Sequence, residues 1–319
     1  MKIRSICLMK DEVDVIGQTL QAGLGWSNQI IVLDNGSTDG SWELVQRMAA
    51  DDPRIVAFGQ DLRPFRDGMR ANCFNAFAGD AAAGDWWCRL DADEFYGEDP
   101  RAALAQAPAE AFSVWSAGLV YYFTDADAAR YEKNPADFDD DVPISERCRY
   151  YLNHTSEPRF FRHEPGLRWT EEHSGFPLTL WARPAWSRRV VVKNYRYRSP
   201  AQIQRRLEAR QATSTHLFPQ ERVADWSGAV ARLRETGGDL KGDLVDHAPT
   251  DWHQRIAPAT ALDFDALDGT YVIREDLMPG IPEPQSEAHI NRAILRARLR
   301  GLAPTGVKQR LRSLRSPNS

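Results

Sequence analysis

The chain opens on an uninterrupted apolar run, Ile3 to Met9, followed by Val13, Ile16 and Leu20 at helical spacing. That succession predicts a strand and then a helix packed against it, with Asp11 available as the helix N-cap. A second run, Gln29-Ile30-Ile31-Val32-Leu33, shows no polar alternation, as expected of a strand covered on both faces. Trp42, Val45 and Met48 mark the buried side of a helix beginning near residues 39–41. Residues 54–58 read as a third strand, 67–83 as a helix ended by Gly84, and 86–90 as a fourth strand. Alternating β and α elements of this kind predict an α/β fold with a mostly parallel sheet and right-handed crossovers.

Past Asp93 the alternation stops. Residues 112–123 predict a long strand, and 125–143 an acidic, polar loop too long for a simple connection. Further strands are expected at 158–161, 178–181 and 189–197. Pro200 opens a basic helix reaching about residue 215. From 218 to 284 the pattern is weak, with Trp226 and Trp252 as expected core anchors. The organisation predicted is a first half over residues 1–125, a second over 126–285, and a tail over 286–319.

Acidic residues stand directly after three of the first four predicted strands: Asp11-Glu12, Asp34-Asn35-Gly36-Ser37-Thr38-Asp39-Gly40 and Asp91-Ala92-Asp93-Glu94. In an open α/β sheet the carboxyl ends of the strands form the ligand crevice, so these carboxylates should converge. Taken singly, such segments are ordinary βα turns or solvated strand ends. Together they are more specific. Carboxylates alone would repel a diphosphate, but a divalent cation held between them and the phosphates would reverse that, and hard oxygen ligands suit Mg²⁺ or Mn²⁺.

Composition narrows the partners. The 42% hydrophobic and 27% charged residues are those of a soluble globular protein, and no run approaches a membrane span. Met1 leads straight into the first strand without a secretory h-region, which predicts a cytosolic protein. Cys7, Cys73, Cys88 and Cys148 lack any C-x-x-C spacing and read as small buried hydrophobes. The net charge of −5 conceals an acidic body and a tail with eight Arg or Lys and no acid from Arg292 onward. An acidic body argues against nucleic acid as a partner, while the tail, with apolar residues at helical spacing, suggests peripheral contact with an anionic membrane surface at its inner face, or packing on the body itself.

The motifs resemble those of the family 2 glycosyltransferases of the GT-A fold, a Rossmann-like nucleotide-binding sheet continuous with an acceptor-binding half. Met9-Lys10-Asp11-Glu12 is similar to the end of that family's first strand, with Asp11 where Asn is usual. Leu33 to Ser41 is similar to its nucleotide-binding turn. Arg70, Asn75 and Gly84-Asp85-Trp86-Trp87 precede Asp91-Ala92-Asp93-Glu94-Phe95 as in a subgroup of the family. The resemblance implies nucleotide contacts from Glu12, Asp34, Asn35, Arg70 and Asp91, and a Mn²⁺ or Mg²⁺ site at Asp91 and Asp93. It implies a metal or diphosphate role for His173, in Trp169-Thr170-Glu171-Glu172-His173-Ser174-Gly175, although Ser174 replaces the family's Glu. The donor implied is a nucleotide sugar, with uridine favoured, and the acceptor a glycan, lipid-linked or other hydroxyl. An inverting transfer also needs a carboxylate base, for which Glu172 and Glu171 are the candidates.

Two enzymatic rivals fit poorly. A dehydrogenase or a nucleotidyltransferase would carry a Gly-rich phosphate loop after the first strand, where this chain has Lys10-Asp11-Glu12-Val13. The remaining alternative is a catalytically silent GT-A domain serving as a binding or assembly subunit of a polysaccharide-synthesis complex, and Ser174 keeps that open.

Overall fold

A computed structural model describes residues 1–172, 175–212, 219–237, 240, 251–286, 288–290, 292 and 295. The first apolar run forms β1 (Ile3–Met9), buried along its whole length. It leads into α1 (Ile16–Gly23), β2 (Gln29–Asp34), α2 (Ser41–Asp51), β3 (Ile55–Gln60), α3 (Arg70–Phe77) and β4 (Trp86–Asp91). These strands lie in the order β3-β2-β1-β4, all parallel. Alternate β1 residues feed two cores, with Ile3, Cys7 and Met9 packing with α1 and Ile6 and Leu8 packing with α3. Coverage of both faces is why the strands carry no polar alternation.

From β4 the sheet continues as a mixed one. After the short β5 (Glu94–Tyr96) and α4 (Pro100–Leu104) comes β6 (Ser113–Tyr122), the long buried strand expected from the sequence. The chain then forms α5 (Asp125–Lys133), α6 (Ile144–Arg147), β7 (Tyr150–Thr155), β8 (Pro158–Arg162), β9 (Val190–Asn194), α7 (Pro200–Ala212), α8 (Trp226–Thr236) and β10 (Asp263–Phe264). β8 joins the halves by pairing antiparallel with both β4 and β6. α7 and α8 bury Ile203, Leu207, Trp226 and Val230 in a further core with Val120 and Tyr122 of β6.

Several expectations needed correction. Residues 125–143 are a loop only from 139 to 143, after α5 and a 3₁₀ turn over Pro135–Phe138: Thr124 accepts a hydrogen bond from the Asp127 amide and the Asp127 carboxylate accepts one from the Thr124 amide. That reciprocal cap starts α5 and outweighs the polar composition. Residues 178–181, expected as a strand, form a 3₁₀ turn after Pro177. Asp11 does not cap α1; its backbone is left-handed (φ 55°) and α1 begins only at Ile16. The helix expected over 67–83 is a shorter α3 flanked by 3₁₀ turns. Trp226 is buried and Trp252 packs at the edge of the same core, and all four cysteines are buried and free.

Candidate active site

The parallel register brings the acidic segments to one edge. Met9 pairs with Asp34 across β1 and β2, and Leu8 with Asp91 across β1 and β4. A cavity of about 280 Å³ opens there, lined by Asp11 and Glu12 after β1, Asn35 after β2, Arg70 of α3, Asp91 and Asp93 after β4, and Asn194 and Arg196 after β9. One stripe of α7, including Gln202, Arg205, Arg206 and Arg210, forms the facing wall.

The turns that present these groups are fastened to each other. The Asp34 carboxylate is fully buried and accepts hydrogen bonds from the amides of Gly36 (3.1 Å) and Ser37 (3.0 Å), from the Ser37 hydroxyl, and from Gln60 Nε2 (2.8 Å). It closes its own turn and is absent from the cavity lining, whereas Asn35 lines the cavity with its amide donating to the carbonyls of Asp61 and Arg63 (2.9 Å). Gly36 (φ 80°) and Gly40 (φ 98°) supply the left-handed residues that this turn requires. The turn is tied to the β1 end: the Asp11 amide donates to Ser37 Oγ (2.8 Å), the Thr38 amide to Asp11 Oδ1 (2.7 Å) and the Glu12 amide to Ser41 Oγ (2.8 Å).

Four carboxylates at or beside the cavity differ in electrostatic setting: Glu12, Asp91 and Asp93, which line it, and Glu94, which does not. Asp91 receives Arg70, Arg159 Nη1 (3.2 Å) and Arg89 Nη2 (3.4 Å). Burial opposes its ionisation, but the three guanidiniums outweigh burial and hold its carboxyl well below the usual range. Glu94, whose Oε1 lies 2.6 Å from Arg159 Nη2, is fully buried and is pushed up to about 8, chiefly by burial and then by Asp91 and Asp93 against the pull of Arg159. Glu12 behaves similarly: burial lifts it to about 7 despite contact with Arg198, with Asp93 and Asp14 adding to the rise. Arg198 itself is buried and clasps Asp14, with Nε 2.7 Å from Oδ2 and Nη2 2.8 Å from Oδ1. Asp93 is the least encumbered acid: Asn194 Nδ2 donates to Oδ1 at 3.2 Å, and Arg198 Nη1 stands 4.0 Å from Oδ2.

That donor set fits a divalent cation in a limited way. Among the described residues no group of three or more His, Cys, Asp or Glu is gathered to hold a metal ion. Mg²⁺ is commonly held by one or two carboxylates with substrate phosphates completing the shell, and Asp93 can supply one such oxygen. Asp91 is poorly suited, because its oxygens already face three arginines.

The remaining expected residues do not gather at the cavity. Glu171 is tied to Arg63 (2.9 Å) and accepts from Asn72 Nδ2 (2.7 Å), so its carboxyl is held below its ordinary value by Arg63 first and then Asn72. Glu172 is exposed, and neither glutamate lines the cavity. His173 and Ser174 lie outside the described residues. Beyond Arg70, sequence reading missed the weight of arginine: Arg89, Arg196, Arg205, Arg206 and Arg210 also line the cavity. The spacing of 202, 205, 206 and 210 on one helix was the available signal for the last three.

A Rossmann-like half sheet in the order β3-β2-β1-β4, continued by a mixed half that closes a crevice at the carboxyl edge, defines a GT-A glycosyltransferase fold. Residues 8–155 match the sequence model of glycosyl transferase family 2, so the chain carries a glycosyltransferase domain of that family. No curated protein sequence matches the chain. Among solved structures, similarity extends to the mannosyltransferase PcManGT from Pyrobaculum calidifontis in complex with GDP-Man and Mn²⁺, at 15% identity and TM-score 0.36 over 65% of this chain and 61% of that one. It extends also to S. aureus TarS 1-349 (14%, 0.35, 66% and 65%) and to GalNAc-T7 with UDP, GalNAc and Mn²⁺ (10%, 0.33, 76% and 52%). The chain thus spans less than two thirds of the length of each.

Proposed function

We propose that the chain transfers a sugar from a nucleotide-diphosphate donor, with a uridine nucleotide favoured, to a hydroxyl acceptor, with inversion at the anomeric carbon. The observation supporting this reading is the convergence of Glu12, Asn35, Arg70, Asp91 and Asp93 on one cavity at the carboxyl edge of the parallel strands. In the reaction the acceptor oxygen bonds to the anomeric carbon and the bond from that carbon to the β-phosphate oxygen breaks. The bonding electrons leave with the nucleoside diphosphate, and the acceptor proton passes to a base.

The residues divide that work. Arg70, locked by Asp91 and by Asp67 Oδ1 (3.0 Å), gives the nucleoside side of the cavity a rigid wall. Asp93 would hold Mn²⁺ or Mg²⁺, which when bound supplies Lewis-acid stabilisation of the charge on the departing diphosphate. Glu172 or Glu171 would act as the base, and Glu171 would first have to leave Arg63 and Asn72. A glycan or lipid-linked acceptor and the basic tail's approach to an anionic membrane belong to the same proposal. Among the described residues no helix is long and apolar enough to cross a membrane.

A thermal-shift screen of nucleoside diphosphates and nucleotide sugars, with and without Mn²⁺, tests the reading, since a ligand that binds only the native state raises its melting temperature. At least one nucleotide sugar should stabilise the protein. Failure of every uridine, guanosine, adenosine and thymidine derivative to do so would overturn it.

A further inference from the structure

Asn194 ends β9 and lines the cavity. Two backbone contacts fix it beside the acids after β4: β9 pairs antiparallel with β5, which sets Asn194 opposite Glu94, and the Tyr195 amide donates to the Asp93 carbonyl at 2.9 Å. The side-chain nitrogen then reaches both acids, with Nδ2 3.2 Å from Asp93 Oδ1 and 3.4 Å from Glu94 Oε1. Those two neighbours decide which end of the amide faces them. Asp93 Oδ1 is a carboxylate oxygen and Glu94 Oε1 already accepts from Arg159 Nη2 at 2.6 Å, so both call for an N–H and would repel a further oxygen. Asn194 Oδ1 is the end left over, and among the described residues it is buried and accepts no hydrogen bond. Buried polar atoms are nearly always paired, and each exception calls for a physical reason, a bound ion or water among them. Arg70 Nε and Arg89 Nε, also on cavity-lining residues and also buried without a partner, are donors and can offer a cation nothing; Asn194 Oδ1 is an acceptor with both lone pairs unused.

We propose that Asn194 Oδ1 is a ligand of the divalent cation, joining Asp93 in a site of one charged and one neutral oxygen. This rests on reading the crevice as a nucleotide-sugar site in which Asp93 holds the metal. Amide and carboxylate oxygens are both hard donors of the kind that suit Mg²⁺ and Mn²⁺, and one or two protein oxygens suffice when phosphates and water complete the shell. Such a site needs no cluster of three acids or histidines, and none is gathered among the described residues. The Nδ2 donation to Asp93 fastens the two ligand side chains to each other, so the amide is oriented before the cation arrives. Neutrality has its own use. With a single carboxylate in the site the cation keeps positive charge for the donor phosphates, whereas a second carboxylate at position 194 would cancel that charge and would face Asp93 and Glu94.

The test is a Mn²⁺ titration of the full chain, with and without UDP or GDP, read by electron paramagnetic resonance as loss of the free Mn²⁺ signal. The wild type should take up Mn²⁺, and N194A should weaken that uptake at least tenfold, as D93N should. Melting temperatures without metal show that each variant remains folded. Because N194A also removes the hydrogen bond to Asp93, N194C separates a ligand from a mere support: a thiolate is a soft donor and favours Cd²⁺ over Mn²⁺. N194C should bind Cd²⁺ at least tenfold more tightly than N194A does, with an ultraviolet thiolate-to-Cd²⁺ band that the wild type lacks. Mn²⁺ uptake by N194A equal to that of the wild type, or an N194C protein that shows no such band, would overturn the assignment. No Mn²⁺ uptake by a wild type whose melting temperature still rises with a nucleotide would overturn this ligand while leaving the nucleotide-sugar reading standing. Binding of no nucleotide under any condition would overturn both.

Discussion

Arg198→Met should be the most destabilising single change at the crevice. The wild-type guanidinium is buried and joins the segment after β1 to the segment after β9, donating to both oxygens of Asp14, to Glu12 and to the Tyr195 carbonyl (2.9 Å). Methionine keeps much of the volume but leaves Asp14 and Glu12 as buried carboxylates. Removing one partner of a buried pair typically costs ~3–5 kcal/mol. Arg147 remains 3.5 Å from Asp14, so the lower end, ~3 kcal/mol, is expected here. The cost should depend on pH. In the wild type, burial opposes ionisation of Asp14 but Arg198 and Arg147 hold its carboxyl below the ordinary value. That contribution is present above the unfolded-state value near 4 and is lost as pH falls through the depressed folded value. Without Arg198 the carboxyls rise instead, so the variant's deficit should be full near pH 7.5 and shrink toward pH 4. Urea unfolding at a series of pH values measures it. A deficit below ~1 kcal/mol that does not vary with pH would refute the reasoning, because it would place the pair among solvent-screened ones.

Other expectations follow from single contacts. Gly118→Ala should cost about 1–3 kcal/mol of stability, because a Cβ there would sit 2.1 Å from Thr155 Oγ1 and 3.0 Å from its carbonyl; denaturant midpoints read this directly. Arg63→Ala, removing a side chain 55% exposed, should shift stability by less than ~1 kcal/mol while releasing Glu171. Glu12, lifted to about 7 chiefly by burial, holds a proton in the folded state that the unfolded chain gives up near pH 4.5, so wild-type stability should fall between those values. Glu12→Gln should flatten that slope in a plot of melting temperature against pH.

The first half was largely legible in the sequence because both faces of its parallel strands are covered, leaving bare apolar runs such as residues 29–33. The strand-end acids could be placed for the same reason, since parallel register carries Met9, Asp34 and Asp91 to one edge. What could not be read depends on contacts distant in sequence. Thr124 and Asp127 cap α5 inside a stretch whose composition suggests a loop. Arg159 lies 68 residues beyond Asp91 yet neutralises it, and nothing local to either residue signals the pair. Asp34 looked like a ligand for the base, but the turn beside it and Gln60 use its oxygens. Two apolar residues flanked by arginines, as in Arg159-Phe160-Phe161-Arg162, read only as a strand edge until the facing strand is known.

The central claim is that this crevice breaks the bond between a sugar and a nucleoside diphosphate, with Asp93 as its least encumbered carboxylate. The most direct measurement is acceptor-dependent release of nucleoside diphosphate from a panel of nucleotide sugars, run with Mn²⁺ on the wild type and on Asp93→Asn. The account predicts release from at least one donor by the wild type, and a loss of at least a hundredfold in Asp93→Asn with an unchanged melting temperature. Full activity in Asp93→Asn with the same Mn²⁺ dependence, or no release from any donor by a protein that binds nucleotide sugars, would contradict it; the second result would point to a silent binding domain.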